Sequence, residues 1–140
     1  MQILAKIVYC TVVCNFELCL QYAGACYIIP ITGNGLTEAT QLKIYDDAEN
    51  DCTNRGPDAH LAIITNRFQQ AFIAAMMYKT NLFSRPWIGV LGAPNDHYFY
   101  YVDNSRLVFS NWGAFAPGVE ITERRCVVMD WHPSDRGEGF

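Results

Sequence analysis

Charge is scarce in this 140-residue chain: 17% of its residues are charged, and the net charge of −4 is scattered without a run of one sign. A nucleic-acid surface needs clustered Lys and Arg, so nothing recommends that class of partner. No Cys-x-x-Cys pair is present, the spacing that clamps zinc or runs thioredoxin chemistry. No apolar run approaches the roughly 20 residues that a bilayer core demands, so no membrane span is expected. Ser84, Ser105, Ser110 and Ser134 lack a Gly-x-Ser-x-Gly setting, and no His stands in a metal motif, so an enzyme is not expected. The Asn-x-Ser/Thr acceptor of N-glycosylation is also absent.

What is abundant is apolar and aromatic surface. Hydrophobic residues make up 51% of the chain and aromatics 14%, a composition that packs rather than stays disordered. The length suits one domain with one real core. Six cysteines, Cys10, Cys14, Cys19, Cys26, Cys52 and Cys126, then read best as disulfide-formers in an oxidising compartment.

Residues 1–25 have the order of a secretory signal: Lys6, the mostly apolar run Ile7 to Cys14, then a more polar stretch closing on Ala23-Gly24-Ala25. On that reading cleavage falls after Ala25 and the domain is 26–140. The competing reading makes the same stretch an N-terminal strand or hairpin, with Cys14 or Cys19 bonded to Cys26.

Further along, Asp46-Asp47-Ala48-Glu49 has the form of a capping box, and Tyr45, Ala48 and Cys52 share one face of the helix it opens. That helix should stop near Arg55-Gly56-Pro57. A second box at Asn66-Arg67-Phe68-Gln69 opens another helix, with Phe68, Phe72, Ala75 and Met76 as its apolar stripe. The period then shifts to strands: Trp87 to Val90, an aromatic ribbon from Tyr98 to Val102, Arg106 to Phe109, and Cys126 to Met129, with turns at Gly92 to Asp96 and Asp103 to Ser105. Two helices followed by strands define an α+β arrangement. Trp87 and Trp112 are read as core residues, and Gly89 as a point of close backbone packing. In the ribbon Tyr98-Phe99-Tyr100-Tyr101 some rings must face outward, where they could touch a ligand.

The ordered landmarks Cys26-Tyr27, Ala48 to Cys52, His60-Leu61-Ala62-Ile63, Trp87-Ile88-Gly89-Val90, Asn111-Trp112, Ala116-Pro117-Gly118 and Cys126-Val127-Val128-Met129 resemble the C-type lectin-like domains. They run through nearly everything from residue 26 onward. The resemblance implies two helices, a small antiparallel sheet and a long loop region, and a secreted module that binds a glycan or a protein. It implies that Ala116, Pro117, Gly118, Glu120 and Glu123 lie in the loop matching the family's sugar site, with Pro117 after a cis peptide. Sugar-binding members hold a calcium ion there, which takes 6 to 8 oxygen ligands. Here Ala116 and Gly118 flank the proline without side-chain oxygens, and Arg124 stands two before Cys126, where the family has a Glu; no calcium or other cofactor is therefore expected, the alternative being a calcium-dependent carbohydrate-binding lectin whose remaining ligands lie beyond Phe140. Asp130, His132 and Asp135 read as a solvated loop rather than a metal site. The family's partners for Cys52 and Cys126, with its last two strands, would lie beyond Phe140, so the chain is expected to be an incomplete domain that folds poorly alone.

Overall fold

The computed structural model describes residues 5–6, 10–12, 20–28, 42–56, 58–79, 86–113, 116–118 and 122–129. Among these, two helices and three small antiparallel sheets form an α+β fold of the kind the resemblance implies. In chain order the elements are β1 (Ala5–Lys6), β2 (Cys10–Val12), β3 (Leu20–Tyr22), β4 (Ala25–Ile28), β5 (Leu42–Lys43), α1 (Tyr45–Thr53), β6 (His60–Leu61), α2 (Arg67–Lys79), β7 (Trp87–Gly92), β8 (Phe99–Tyr101) and β9 (Arg125–Val128).

The segment expected to leave as a signal is built into these sheets. β1 pairs with β5, and β2 lies between β4 and β6. Tyr22 pairs with Ala25 across the two-residue turn Ala23-Gly24, whose φ values of 48° and 80° match the positive-φ turns that suit the strand twist of a hairpin. The small residues that resemble a cleavage signature are thus turn residues here. Cys14 and Cys19, the two candidate partners of Cys26 in the hairpin reading, lie outside the described residues.

The first capping box does not form. Helix α1 starts at Tyr45, its N-cap is Ile44, and no side chain caps it. Its carboxylates are used elsewhere. Asp46 faces Arg124, and Glu49 reaches β6, where Oε1 lies 2.5 Å from His60 Nδ1 and Oε2 accepts the Leu61 N–H at 2.9 Å. Tyr45, Ala48 and Cys52 are its buried face, and the helix closes at Asn54, just short of Arg55-Gly56.

The second N-terminus behaves as a cap. Asn66 Oδ1 accepts the N–H groups of Phe68 at 3.0 Å and Gln69 at 2.9 Å, and the Gln69 amide oxygen returns to the Thr65 N–H at 2.7 Å. Removing this acceptor orphans two helix-end donors. Asn66→Ala is expected to cost about 0.5–2 kcal/mol, read as a lower thermal midpoint with no change in the native far-UV spectrum.

The buried stripe of α2 differs from the expected one. Met76 is buried and Phe72 packs against the core as expected, but Phe68 is 60% exposed and Ala75 is exposed, whereas Gln70, Ile73 and Ala74 are buried. The stripe is offset because it runs through the polar Gln70, which no apolar count would place inside. The Arg67 guanidinium lies 5.0 Å from the centroid of the exposed Phe68 ring.

Strand β7 is the centre of the domain. Ile88 and Val90 point into one core with Tyr27, Ile73, Tyr101 and Met129. Trp87, on the other face, joins Cys26, Tyr45, Cys52 and Leu61 in a second core. The strand is flanked by β8 and β9. Gly89 lies at the seam with the link that follows β6: its N–H donates to Ala62 O at 2.8 Å, and its carbonyl accepts the Val102 N–H at 3.0 Å. An added Cβ there would lie 2.6 Å from Leu61 O and 3.0 Å from Val102 Cγ2.

Arg106 to Phe109 is not a strand. Arg106 bridges Tyr100 once, and the Val108 N–H donates to the Tyr101 hydroxyl at 3.4 Å instead of to a ladder. The Tyr101 hydroxyl itself donates to Ile64 O at 2.8 Å, which draws this segment onto the core.

Cys26 and Cys52 are each disulfide-bonded, and Cys126 carries a free thiol. The expectation that Cys52 lacks a partner in this chain is thereby corrected. Its position on the fully buried face of α1, in the same core as Cys26, keeps it from solvent. Among the described residues no helix is long and apolar enough to cross a membrane.

Candidate functional site

Strand β8 and the loop before β9 frame two adjoining clefts. Phe99, at the start of β8, packs on Trp112 with ring centroids 4.8 Å apart and a 54° tilt. Pro117 joins these two rings in the lining of both clefts. The larger is open, about 690 Å³, and also takes in Tyr98, Tyr100, Asn104 and Arg106. The smaller, about 380 Å³, runs from Ala116-Pro117-Gly118 to the β9 residues Arg125 to Val128.

Each ring is placed by a local cause. Asp96 Oδ1 accepts the Tyr98 N–H at 3.0 Å, closing the turn before β8 and leaving the Tyr98 ring 78% exposed. Tyr101 takes the opposite course, 1% exposed, so the ribbon presents Tyr98 outward and Tyr101 inward. Trp112 follows Asn111, whose amide donates to the buried Gln70 Oε1 at 3.4 Å and so ties this loop to α2. Trp112 is half-buried and lines the cleft, whereas Trp87 is 4% exposed and meets Tyr45 edge-on at 5.4 Å. The two tryptophans treated alike in the sequence therefore occupy different settings.

The Ala116-Pro117 peptide is cis, and Ala116, Pro117 and Gly118 are all exposed. Glu123 is exposed, and Glu120 lies outside the described residues, as do Asp130, His132 and Asp135. Arg124 does not reach into the loop. Its two terminal nitrogens donate to the Asp46 carboxylate at 2.8 and 3.0 Å, a bidentate pair that joins the first turn of α1 to the start of β9. As to calcium, Ala116 and Gly118 bring no side-chain oxygen, and among the described residues no group of three His, Cys, Asp or Glu side chains could hold a metal ion.

Arg125, missed in the sequence, is the second cation of the site. Its guanidinium lies 4.4 Å from the Phe99 ring centroid, and its Nη2 donates to Asp96 O. It covers Gly92, where a Cβ would lie 2.9 Å from Arg125 Nε. Its signal was the Gly92 and Phe99 positions facing it across β7 and β8, which no spacing rule reads. Beside it, the Cys126 thiol has its pKa raised, first by burial and also by the Asp46 charge, against the opposing pull of Arg124.

These features define a binding domain: a packed α+β core that carries an aromatic cleft on its loops. The family profile of the lectin C-type domain matches residues 41–138, and the chain belongs to that family. It is similar to a ladderlectin of Oncorhynchus mykiss, 30% identical over 64% of this chain and 46% of the relative. A snaclec of Deinagkistrodon acutus is 28% identical over 65% of this chain and 53% of its own length. The CD302 antigen of Bos taurus is 29% identical over 90% of this chain and 51% of its own. The chain spans about half the length of these relatives.

Proposed function

We propose that this chain is an extracellular carbohydrate-binding module that works without calcium. The observation carrying this reading is the open cleft of about 690 Å³ in which Tyr98, Phe99, Trp112 and Pro117 offer flat apolar faces beside the polar groups of Asn104 and Arg106. A sugar ring has an apolar face and a polar edge, and aromatic side chains with nearby donors serve both. Membership of the lectin C-type family supports a binding role. The oxidised Cys26 and Cys52 fit the extracellular setting. The absence of calcium from the reading follows from Ala116 and Gly118, and from Arg124 being committed to Asp46.

The test is a glycan array probed with and without a chelator. Binding that persists undiminished in the chelator is the expected result. Spots that lose the protein when the chelator is added would overturn the calcium-free reading.

A further inference from the structure

Acidic residues outnumber basic ones in this chain, fourteen to ten, yet each of the two adjoining clefts is lined by an arginine, Arg106 in one and Arg125 in the other, and by no Asp or Glu among the described residues. Arg106 lines it, is exposed, and forms no ion pair with any described residue. Arg125 lines the adjoining cleft on the same Phe99–Trp112 pair, and its one hydrogen bond is to a backbone carbonyl rather than a carboxylate. His97 lines the larger cleft as well. The nearby carboxylates are turned into their own loops. Asp96 accepts the Tyr98 N–H at 3.0 Å, and Asp103 accepts the Ser105 N–H at 2.9 Å; neither lines the clefts. Elsewhere the described guanidiniums that do find carboxylates, Arg55 with Asp51 and Arg124 with Asp46, do not line either cleft.

Two guanidiniums with no acidic partner among the described residues therefore flank one tilted aromatic pair. Guanidinium is a fixed positive charge with a planar fork of donors that matches carboxylate and sulfate-like oxyanions. The charge left uncompensated at this place is available to a ligand, and it is the wrong sign to be neutral toward one. We propose that the ligand of the cleft is an anionic saccharide, a sugar chain bearing sulfate or carboxylate groups, with Tyr98 and Trp112 against its rings and Arg106 at its charge. This rests on the carbohydrate-binding reading and adds the ligand class to it.

The experiment titrates the whole chain, by calorimetry at fixed ionic strength, with three hexasaccharides of equal length. One is heparin-derived and carries sulfate and carboxylate, one is the same sugar after desulfation, and one is neutral. At least one anionic probe is expected to bind tenfold or more tighter than the neutral one, with the preference shrinking as salt rises. The desulfated probe distinguishes the source: if it keeps the preference, carboxylates suffice, and if it loses it, sulfate is the group read. Arg106→Gln is expected to remove most of the preference, lowering the affinity of the anionic probes far more than that of the neutral one, with the thermal midpoint unchanged, since Arg106 is exposed and held to the fold by its backbone bridge to Tyr100. Equal binding of all three probes, or an anionic preference that survives Arg106→Gln, would overturn this inference and leave the carbohydrate reading standing. If none of the three sugars binds, both fall.

Discussion

Gly89→Ala is expected to lower the thermal midpoint by roughly 10 °C or more, which corresponds to about 3 kcal/mol or more in a domain of this size. The new methyl would stand 2.6 Å from Leu61 O and 3.2 Å from Ala62 O, both backbone atoms that cannot rotate away. Relief requires the seam between β7 and the link after β6 to open. That stretches the Gly89 to Ala62 hydrogen bond of 2.8 Å as well. Overpacking of this kind costs about 1–3 kcal/mol or more, and a lost hydrogen bond adds about 1. Against a total stability of about 5–15 kcal/mol the loss is large. Gly56→Ala is the control, because nothing lies within 4 Å of its added Cβ, and it is expected to shift stability by less than about 0.5 kcal/mol. Comparable midpoints for the two variants in a thermal melt would show that the seam is softer than its geometry.

Trp87→Ala should destabilise the fold by about 3–5 kcal/mol, the range for emptying a buried aromatic site. Trp87 fills the core between α1, β6 and β7, against Tyr45 and beside Cys52 and Leu61, all buried. Tyr45 cannot collapse into the gap without giving up the hydrogen bond from its hydroxyl to Ile88 O at 2.9 Å. Trp112→Ala makes the informative comparison. Trp112 is half-buried at the edge of the other core and lines the cleft, so its loss should cost less stability and more ligand affinity. Chemical denaturation of both variants alongside sugar titration separates the roles. Equal stability losses with unchanged binding would remove Trp112 from the site.

Much of this was legible in the residues. Strand β7 could be read because its apolar run is short, uninterrupted and β-rich, and Asn66 could be read as a cap because its partner Gln69 stands three residues on. The first box misled for a physical reason. Asp46, Asp47 and Glu49 have the right spacing, but α1 begins one residue before them, and two of those carboxylates have stronger partners in Arg124 and His60. Those partners are 78 and 11 residues away, beyond any local rule. The stripe of α2 was misplaced because burial there includes a glutamine. Residues 1–25 were read by composition, and composition alone leaves an apolar leader and an N-terminal strand or hairpin both open. At the site, Pro117 and the ribbon were visible in the sequence, while the pairing of Arg125 with Phe99 depends on the registers of β8 and β9 on β7.

The seam at Gly89 also bears on how such a domain can change over generations. What holds the link after β6 against β7 is main-chain hydrogen bonding and the lack of a side chain, so the requirement at that point falls on one position rather than on a set of matched partners. The turns that carry Tyr98 and Asn104 lie outside it, their backbone closed by Asp96 and Asp103. Loops of that kind accept substitution and insertion far more readily than the elements they join. The loops of the candidate cleft are therefore free to drift while the seam beneath them holds one position strictly.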